Sequence, residues 1–284
     1  MKAPAFAYVK PKSLAEVFDL LERHGAGARI LAGGQSLVAS LNLRLSAPEV
    51  LVDITGLPGL GGIRVEGKTL RIGALVTQRE LEQSAEIARH LPLIAQAVPH
   101  IAHVAIRNAG TWGGSIALAD PAAEQPACAL ALGASFVVAS RRGERRIAAG
   151  DFFRGLYQTA LEPGEVLIAG EYPVLAPGYR SAFVELARRR GDYAIVGLAA
   201  HGKVEGGRYT DMHLAFLGAG ETPVLARAAM AALEGKPCGP EAIAAAQGVL
   251  DTDLDPPADP STSRAAKLHL ARVLAGRALA ALAG

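Results

Sequence analysis

The 284-residue sequence predicts an α+β protein. Two small α+β subdomains, about 1–58 and 59–176, precede a third unit, 177–284, of three antiparallel strands backed by helices. Three observations carry this. Composition changes at the turn-rich Pro58–Gly62, Pro177-Gly178 reads as a linker, and beyond it strand-like text gives way to Ala- and Leu-rich helical text.

The elements follow in order. Phe6–Val9 is a strand candidate. Ser13 opens SLAEVFDLLERHG, whose Ser-x-x-Glu is a capping box and whose Leu14, Val17, Phe18 and Leu21 share one helical face. Gly25 and Gly27 stop it. Arg29–Ala32 reads as a buried strand, Ser36 as the cap of a helix through Leu45, and Val50–Ile54 as the next strand. This is a βαβ-type beginning without the GxGxxG and ribose-binding acid of a Rossmann unit. Gly62–Glu66 and Thr69–Gly73 flank Gly67-Lys68 as a hairpin. Helices are expected over Thr77–Gln83, Glu86–Val98 and Pro126–Leu132, a hairpin over Ala134–Ala139 and Glu144–Ile147, and a strand over Glu165–Tyr172. Tyr179–Ala187, Tyr193–Lys203 and Arg208–Leu217 are the three strands of the last unit, the second pair joined at Gly206-Gly207. Helices over Val224–Glu234, Pro240–Gly248 and Ser261–Leu282 follow, interrupted by the solvated acidic loop DTDLDPPADP.

Half the residues are apolar, a fifth are charged and the net charge is +2, which gives no electrostatic argument for nucleic acid or membrane. No apolar run reaches the length of a transmembrane helix, and the N-terminal stretch is too short and Pro-interrupted for a secretory signal; a cytoplasmic protein is expected. The two cysteines, Cys128 and Cys238, form no CxxC pair, so neither an iron–sulfur cluster nor a structural zinc site is expected here. Cys128 in PACALALGA reads as a buried hydrophobe and Cys238 as a free loop thiol. His100 and His103 have no carboxylate between them, so no metal is expected there.

Two stretches lack any period. Ile106–Pro121 (IRNAGTWGGSIALADP) packs Gly110, Gly113 and Gly114 beside Thr111, Ser115 and Asp120. Glycines at that density allow tight turns and close ligand approach, and the N–H groups so exposed suit an anion such as a pyrophosphate. Leu31–Leu37 (LAGGQSL) repeats the design far upstream. Either loop alone reads as an ordinary turn; together they imply one extended ligand gripped twice.

The ordered motifs FxYxxPxSLxEV, LAGGQSL, IRNxGTxGGSxAxADPAA, GDFF, LxPGEVL and ARRxGDYAIVG resemble the FAD-binding medium subunit of the xanthine oxidase/carbon monoxide dehydrogenase family of molybdenum hydroxylases. The resemblance runs from Phe6 to about Gly218, more weakly in the helical tail. It implies a two-subdomain PCMH-type FAD-binding domain over 1–176 and a carbon monoxide dehydrogenase flavoprotein-like domain over 177–284. It implies that Ala32, Gly33, Gly34, Gln35 and Ser36, with Leu37, wrap the FAD pyrophosphate from one side. Gly110, Thr111, Gly113, Gly114, Ser115 and Ala117 would hold it and the ribityl chain from the other. Ile101, with Ala102, and Leu167 resemble apolar contacts to flavin or adenine, core packing being the alternative. Asp120 is a ligand contact or a turn acid before Pro121. Tyr193 would cover or stack on the isoalloxazine, the alternative being a strand aromatic facing the core; Arg188–Arg190 beside it form a solvated basic face.

The sequence departs from the family at Gln35, where His is also common; at Trp112, a large ring expected to cover part of the cofactor; and at Leu118, often His. Glu124 stands where Asp is common near the ribityl chain, and Glu185 where many members have Lys near the flavin. An anion there is expected to lower the flavin potential.

The resemblance implies an electron-transfer subunit with no general base of its own. Substrate would be oxidised at molybdopterin in a large subunit, and two [2Fe-2S] clusters in a small subunit would feed FAD in this chain. An external quinone, NAD or oxygen would take the electrons. A dimer of heterotrimers is expected, with membrane contact only through the complex. The alternatives are a stand-alone FAD-dependent oxidase or reductase of the same fold, and a scaffold subunit without FAD. The substrate is chosen elsewhere and is not legible here.

Overall fold

Three sheets follow one another along the chain, and the middle one serves two cores. The computed structural model describes residues 2–284. Strand β1 (Ala7–Val9), helix α1 (Leu14–His24), β2 (Ala28–Leu31), α2 (Leu37–Asn42) and β3 (Val50–Asp53) come first. Their strands form a parallel sheet in the order β1-β3-β2. Ser13 accepts from the Glu16 N–H at 3.3 Å, and the Glu16 carboxylate accepts from the Lys12 N–H rather than closing back on Ser13. Val17 and Phe18 are the buried stripe of α1.

The helix expected through Leu45 ends at Asn42, and Ser36 is itself in an αR conformation with no side-chain capping bond. Arg44 turns the chain with φ +57, and the Leu45 N–H returns to the Ser40 carbonyl at 2.9 Å. A left-handed residue closes this helix as a C-terminal glycine commonly does.

The central part contains β4 (Ile63–Glu66) and β5 (Thr69–Gly73), helices α3 (Gln78–Gln83), α4 (Ala85–His90), α5 (Pro92–Ala97), α6 (Val104–Arg107), α7 (Trp112–Leu118) and α8 (Glu124–Ala131). Then come β6 (Ser135–Ser140), β7 (Gly143–Ala148), α9 (Ala149–Phe152), β8 (Phe153–Gly155), β9 (Gln158–Thr159) and β10 (Val166–Pro173). The sheet is antiparallel in the order β4-β5-β10-β6-β7, with β8-β9 as a separate small hairpin that no spacing in the sequence predicts. The single helix expected over Glu86–Val98 is broken at Leu91 (φ −133, ψ 59) because Pro92 starts α5; a residue before proline is driven out of the helical region.

In the last part, β11 (Tyr179–Ala187), β12 (Ala194–Glu205) and β13 (Arg208–Leu217) pair as expected, and a short β14 (Val224–Leu225) makes the sheet four-stranded. Those two residues were expected to be helical. They are captured by β13, the Ala226 N–H reaches the Leu214 carbonyl at 2.8 Å, and α10 (Arg227–Leu233) starts after them. Helices α11 (Pro240–Gly248), α12 (Leu250–Asp253) and α13 (Arg264–Ala283) follow. Ser263 caps α13, accepting from the Ala266 N–H at 3.2 Å.

Side chains alternate across the central sheet with the period of two that a strand imposes, the phase along β10 being reset by an irregularity between Leu167 and Ala169. Phe136 and Val138 of β6, with Leu167 and Tyr172 of β10, enter the core formed with α3, α4, α5, α7 and α8, which also takes Phe183, Ala199 and Leu217 from the C-terminal sheet. Val137, Ala139, Val166 and Ile168 point the other way, onto Val17, Val50 and Val52 of the N-terminal sheet. A separate core under the last sheet holds Leu198, Phe216, Leu274 and Leu279.

Candidate functional site

The two glycine-rich loops touch. A Cβ built at Gly33 would lie 2.2 Å from the Ala109 carbonyl oxygen and 2.8 Å from Gly110 Cα, so only glycine admits this approach. A Cβ at Gly110 would in turn lie 3.5 Å from the Gln35 side chain, and Gln35 Nε2 donates to its own loop, to the Gly33 carbonyl at 2.8 Å. Beside this contact a cleft of about 290 Å³ runs between Ala32-Gly33 and Asn108–Thr111, with Thr55, Leu75 and Thr77 at its edge.

The donors are distributed differently from the expectation of two equal cradles. The Trp112, Gly113, Gly114 and Ser115 N–H groups are bound by the Val76 carbonyl (2.8 Å), the Ala74 carbonyl (3.0 Å), Thr111 Oγ1 (3.0 Å) and the Thr111 carbonyl (3.1 Å). The start of α7 is therefore fastened to the β5–α3 connection and has no main-chain donors to spare. A Cβ at Gly113 would meet Ala74 at 2.6 Å, so that glycine serves packing. In the first loop, by contrast, no backbone acceptor binds the N–H groups of Gly33, Gly34, Gln35 or Ser36 among the described residues. Among the described residues, the main-chain N–H groups left without a backbone acceptor in the two loops are therefore those of Gly33–Ser36 and of Thr111.

Behind the second loop lies a buried amide relay. The Gln78 N–H donates to the Gly110 carbonyl at 2.8 Å, Gln78 Nε2 to the Thr111 carbonyl at 3.3 Å, and Gln125 Nε2 to Gln78 Oε1 at 2.9 Å. These bonds fix the Gly110-Thr111 backbone from inside the protein.

Ile101 and Ala102 are half-buried, and Ala102 has φ +46. Arg107 Nη1 donates to both carbonyls (3.0 and 3.2 Å) while its Nε and Nη2 bind the Glu82 carboxylate at 3.2 and 3.0 Å. Burial works against ionised Glu82, but hydrogen bonds from Arg79 and Arg107 outweigh it and hold the carboxyl below its ordinary range. A Cβ at Gly191 would lie 2.6 Å from the Ala102 carbonyl oxygen. The ARRRGDY loop of the C-terminal part thus rests directly on this turn.

Tyr193 is 69 % exposed, so it does not face the core. Partial desolvation, then the nearby Asp120 and Glu124, raise its pKa. Asp120 is buried and serves as the expected turn acid. Oδ1 accepts from the Ala122 N–H at 2.9 Å as a turn acid, and Oδ2 accepts from the Tyr157 hydroxyl at 3.3 Å. Glu124, the first residue of α8, is 8 % exposed, and burial, then Glu185 and Asp120, push it up to about 8. Burial likewise lifts Glu185 to about 7. Leu167 is buried in the central core, Ala117 is exposed on α7, and Leu37 is the half-buried first residue of α2.

Trp112 does not cover the cleft. It is fully buried, its Nε1 donates to the Tyr172 hydroxyl at 3.0 Å, and its ring packs edge-on against Tyr172 and tilted against Phe136. Room comes from Gly170, where a Cβ would stand 2.3 Å from the indole.

Several residues around the cleft are not singled out by the sequence, although Arg107 lies inside the IRNxGTxGGS motif. Arg107 and Glu82 brace the Ile101-Ala102 turn, Tyr157 (φ +55) reaches Asp120 from the β8–β9 hairpin, and Lys10 brings a cation to the edge of the cleft. Lys10 Nζ donates to Thr55 Oγ1 at 3.2 Å, and Asp53 accepts from the Thr55 N–H and hydroxyl and from the Tyr8 hydroxyl. Cys128 is fully buried and Cys238 partly so. No group of His, Cys, Asp and Glu that could hold a metal occurs among the described residues.

Comparison with known proteins places this cleft in context. Residues 4–175 match the family model "FAD binding domain in molybdopterin dehydrogenase", and residues 181–282 match "CO dehydrogenase flavoprotein C-terminal domain". The chain is 39 % identical over 281 residues to the 6-hydroxypseudooxynicotine dehydrogenase complex subunit alpha of Paenarthrobacter nicotinovorans, covering 99 % of this chain and 95 % of that one. It is 36 % identical over 279 residues to the carbon monoxide dehydrogenase medium chain of Hydrogenophaga pseudoflava, covering 98 % and 97 %. Among solved structures, a chain of the Hydrogenophaga pseudoflava carbon monoxide dehydrogenase lacking the Mo-pyranopterin moiety superposes with a TM-score of 0.97 at 38 % identity, covering 99 % and 98 %.

Proposed function

Because this chain belongs to the FAD-binding medium-subunit family of the molybdenum hydroxylases, we propose that it holds FAD across the Gly33–Ala109 contact and relays electrons inside a larger oxidoreductase. The contact between the two loops is the observation that carries this reading. It brings residues some eighty positions apart to one cleft, and a Cβ at Gly33 would abolish it.

The residues present fit such a ligand. The N–H groups of Gly33–Ser36 would take the pyrophosphate, with the Thr111 and Ser115 hydroxyls opposite. Neutral donors hold an anion without depending on the protonation state of a side chain; Lys10 at the edge is paired with buried Asp53 at 3.6 Å and adds no net charge there. Ile101 and Ala102, on their Arg107 brace, would support one side of the isoalloxazine, while exposed Tyr193 is free to lie over it. Leu167 would shape the site from the core, and Asp120 and Glu124 would face the ribityl end. Bound FAD would supply reversible acceptance of electrons; the chain's task is to position it, exclude water and set its potential.

The division we adopt is an FAD-binding PCMH-type domain over 1–176 and a C-terminal domain over 177–284, with the Gly191 contact joining them. The relatives are subunits of complexes, and the partners we assign are a large molybdopterin subunit and a small [2Fe-2S] subunit in a dimer of heterotrimers, discharging to an external acceptor. No helix among the described residues is long and apolar enough to cross a membrane; a cytoplasmic setting belongs to the same proposal. The relatives differ in what their names say they oxidise, in keeping with a substrate chosen outside this chain.

The test is an absorption spectrum of the purified chain, alone and co-expressed with its genomic neighbours. Flavin bands bleached by substrate only in the co-expressed complex are the expected result. Bleaching in the isolated chain would mean a stand-alone flavoenzyme, and a colourless protein in both would refute the cofactor.

A further inference from the structure

Two buried side-chain amides stand behind the second loop, and what they touch dictates how each is turned. Gln78 is the first residue of α3 and Gln125 the second of α8. The Thr111 carbonyl can only accept, so the Gln78 amide meets it with Nε2, at 3.3 Å. That turns Gln78 Oε1 towards Gln125, whose amide must then present its own Nε2, at 2.9 Å. The chain of bonds ends there, because Gln125 Oε1 is enclosed without a partner. An orphaned buried acceptor destabilises a fold. The residues that follow on α8, Pro126, Ala127, Cys128 and Ala129, are all buried and uncharged, so a leucine at 125 would suit the packing and leave no orphan.

The amide at 125 has a use that packing does not supply: it keeps Gln78 from turning over. A half-turn of the Gln78 amide would set its oxygen against the Thr111 carbonyl, and the Gln125 donor opposes that turn. The start of α3 holds the preceding peptide as well. The Gln78 N–H binds the Gly110 carbonyl at 2.8 Å, and in a trans peptide the Thr111 N–H points the opposite way, away from α3. It finds no backbone acceptor. Thr111 lines the cleft, and its hydroxyl, having accepted from the Gly114 N–H at 3.0 Å, keeps its own proton to donate. The base of this arrangement is rigid, since Thr77 and Glu80 close a capping box across the first turn of α3.

We propose that Gln78 and Gln125 are positioning residues for the cofactor: together they fix the Gly110-Thr111 backbone so that the Thr111 N–H and hydroxyl are presented to the FAD pyrophosphate. The inference rests on the FAD reading above. Gln78 acts on Thr111 directly. Gln125 bonds only Gln78 and acts through it.

The experiment is a double-mutant cycle on the 284-residue chain, with Gln125→Met, Gln78→Met and the two combined. Flavin fluorescence gives the FAD dissociation constant and a thermal melt gives stability. Methionine keeps the length of glutamine and removes the amide. Gln125→Met exchanges one orphaned acceptor, its own, for another, Gln78 Oε1, so the melt should shift little. FAD affinity should nevertheless weaken about threefold to tenfold as Gln78 loses its fixed orientation. Gln78→Met should weaken it at least as much, and adding Gln125→Met should change it no further, because the second residue acts through the first. The combined variant replaces both amides by apolar side chains and is the one least prone to misfold. Unchanged affinity in Gln125→Met, or losses that add in the combined variant, would overturn the proposal. Failure of wild type to bind FAD would instead refute the cofactor reading. Deuterium uptake by Ile106–Gly113 in the FAD-free chain would then decide alone: faster uptake in Gln125→Met upholds the hold on the loop, and unchanged uptake refutes it.

Discussion

Replacing Gly33 with alanine addresses the contact on which the functional reading stands. The new Cβ would sit 2.2 Å from the Ala109 carbonyl oxygen, where ordinary contact begins near 3.4 Å. The obstacle is main chain, so no rotamer change relieves it, and the two loops must part by about 1 Å, in the range where overpacking costs about 1–3 kcal/mol. If the loops close only around FAD, that cost falls on binding and weakens the dissociation constant by about fivefold to about 150-fold. Gly34→Ala is the control. Gly34 has φ +71, but its added Cβ would meet only the Leu31 and Val38 side chains at 3.2 and 3.3 Å. Its cost is local backbone strain of about 1–2 kcal/mol, which lowers stability without separating the loops. Fluorescence titration with FAD and a thermal melt distinguish the two variants. Gly33→Ala binding FAD like wild type, or no worse than Gly34→Ala, would show that the loop contact does not form the site.

Two other predictions probe what surrounds the cleft. Trp112→Phe leaves the Tyr172 hydroxyl buried without its indole partner and should lose about 1–3 kcal/mol of stability while FAD affinity stays unchanged; a tenfold loss of affinity would mean the indole touches the ligand after all. Arg107→Ala leaves Glu82 with Arg79 as its remaining partner at 2.8 Å and releases the Ile101 and Ala102 carbonyls, so stability should fall by about 1–3 kcal/mol. Because the Glu82 carboxyl is held below its ordinary value of 4.5, its contribution is present above that pH and is lost as pH falls below it. Glu82→Gln should therefore flatten the acid limb of the unfolding profile; an unchanged acid limb would exclude this ion pair as its source.

The elements legible in the sequence are those whose signal is local. β11 and β13 coincide with the predicted Tyr179–Ala187 and Arg208–Leu217 because alternation and flanking glycines fix them. Thr77 and Ser263 cap α3 and α13 through bonds to residues three positions on. Breaks set by one backbone angle escaped, as at Leu91 and Arg44, although Pro92 carried a readable warning. At the site, the glycines marked two loops that the fold brings into contact. Their unequal use was hidden, because the Ala74 and Val76 carbonyls that consume the donors of α7 come from a distant connection. Lys10, Arg107 and Tyr157 were hidden for the same reason. A basic or aromatic residue becomes part of a site only through the partner the fold brings to it.

The shared central sheet also sets a timetable for synthesis. Val17, Val50 and Val52 emerge from the ribosome early, but the residues that cover them are Val137 and Ala139 on β6 and Val166 and Ile168 on β10. At translation speeds of about 5–20 residues per second, the nascent N-terminal sheet waits on the order of ten seconds with that apolar face uncovered. Throughout that interval it is a natural client for a chaperone. The first glycine loop is made before the wall behind it and the second loop that meets it, so the cleft cannot exist on a partly synthesised chain, and cofactor loading must follow release of at least the first 170 or so residues.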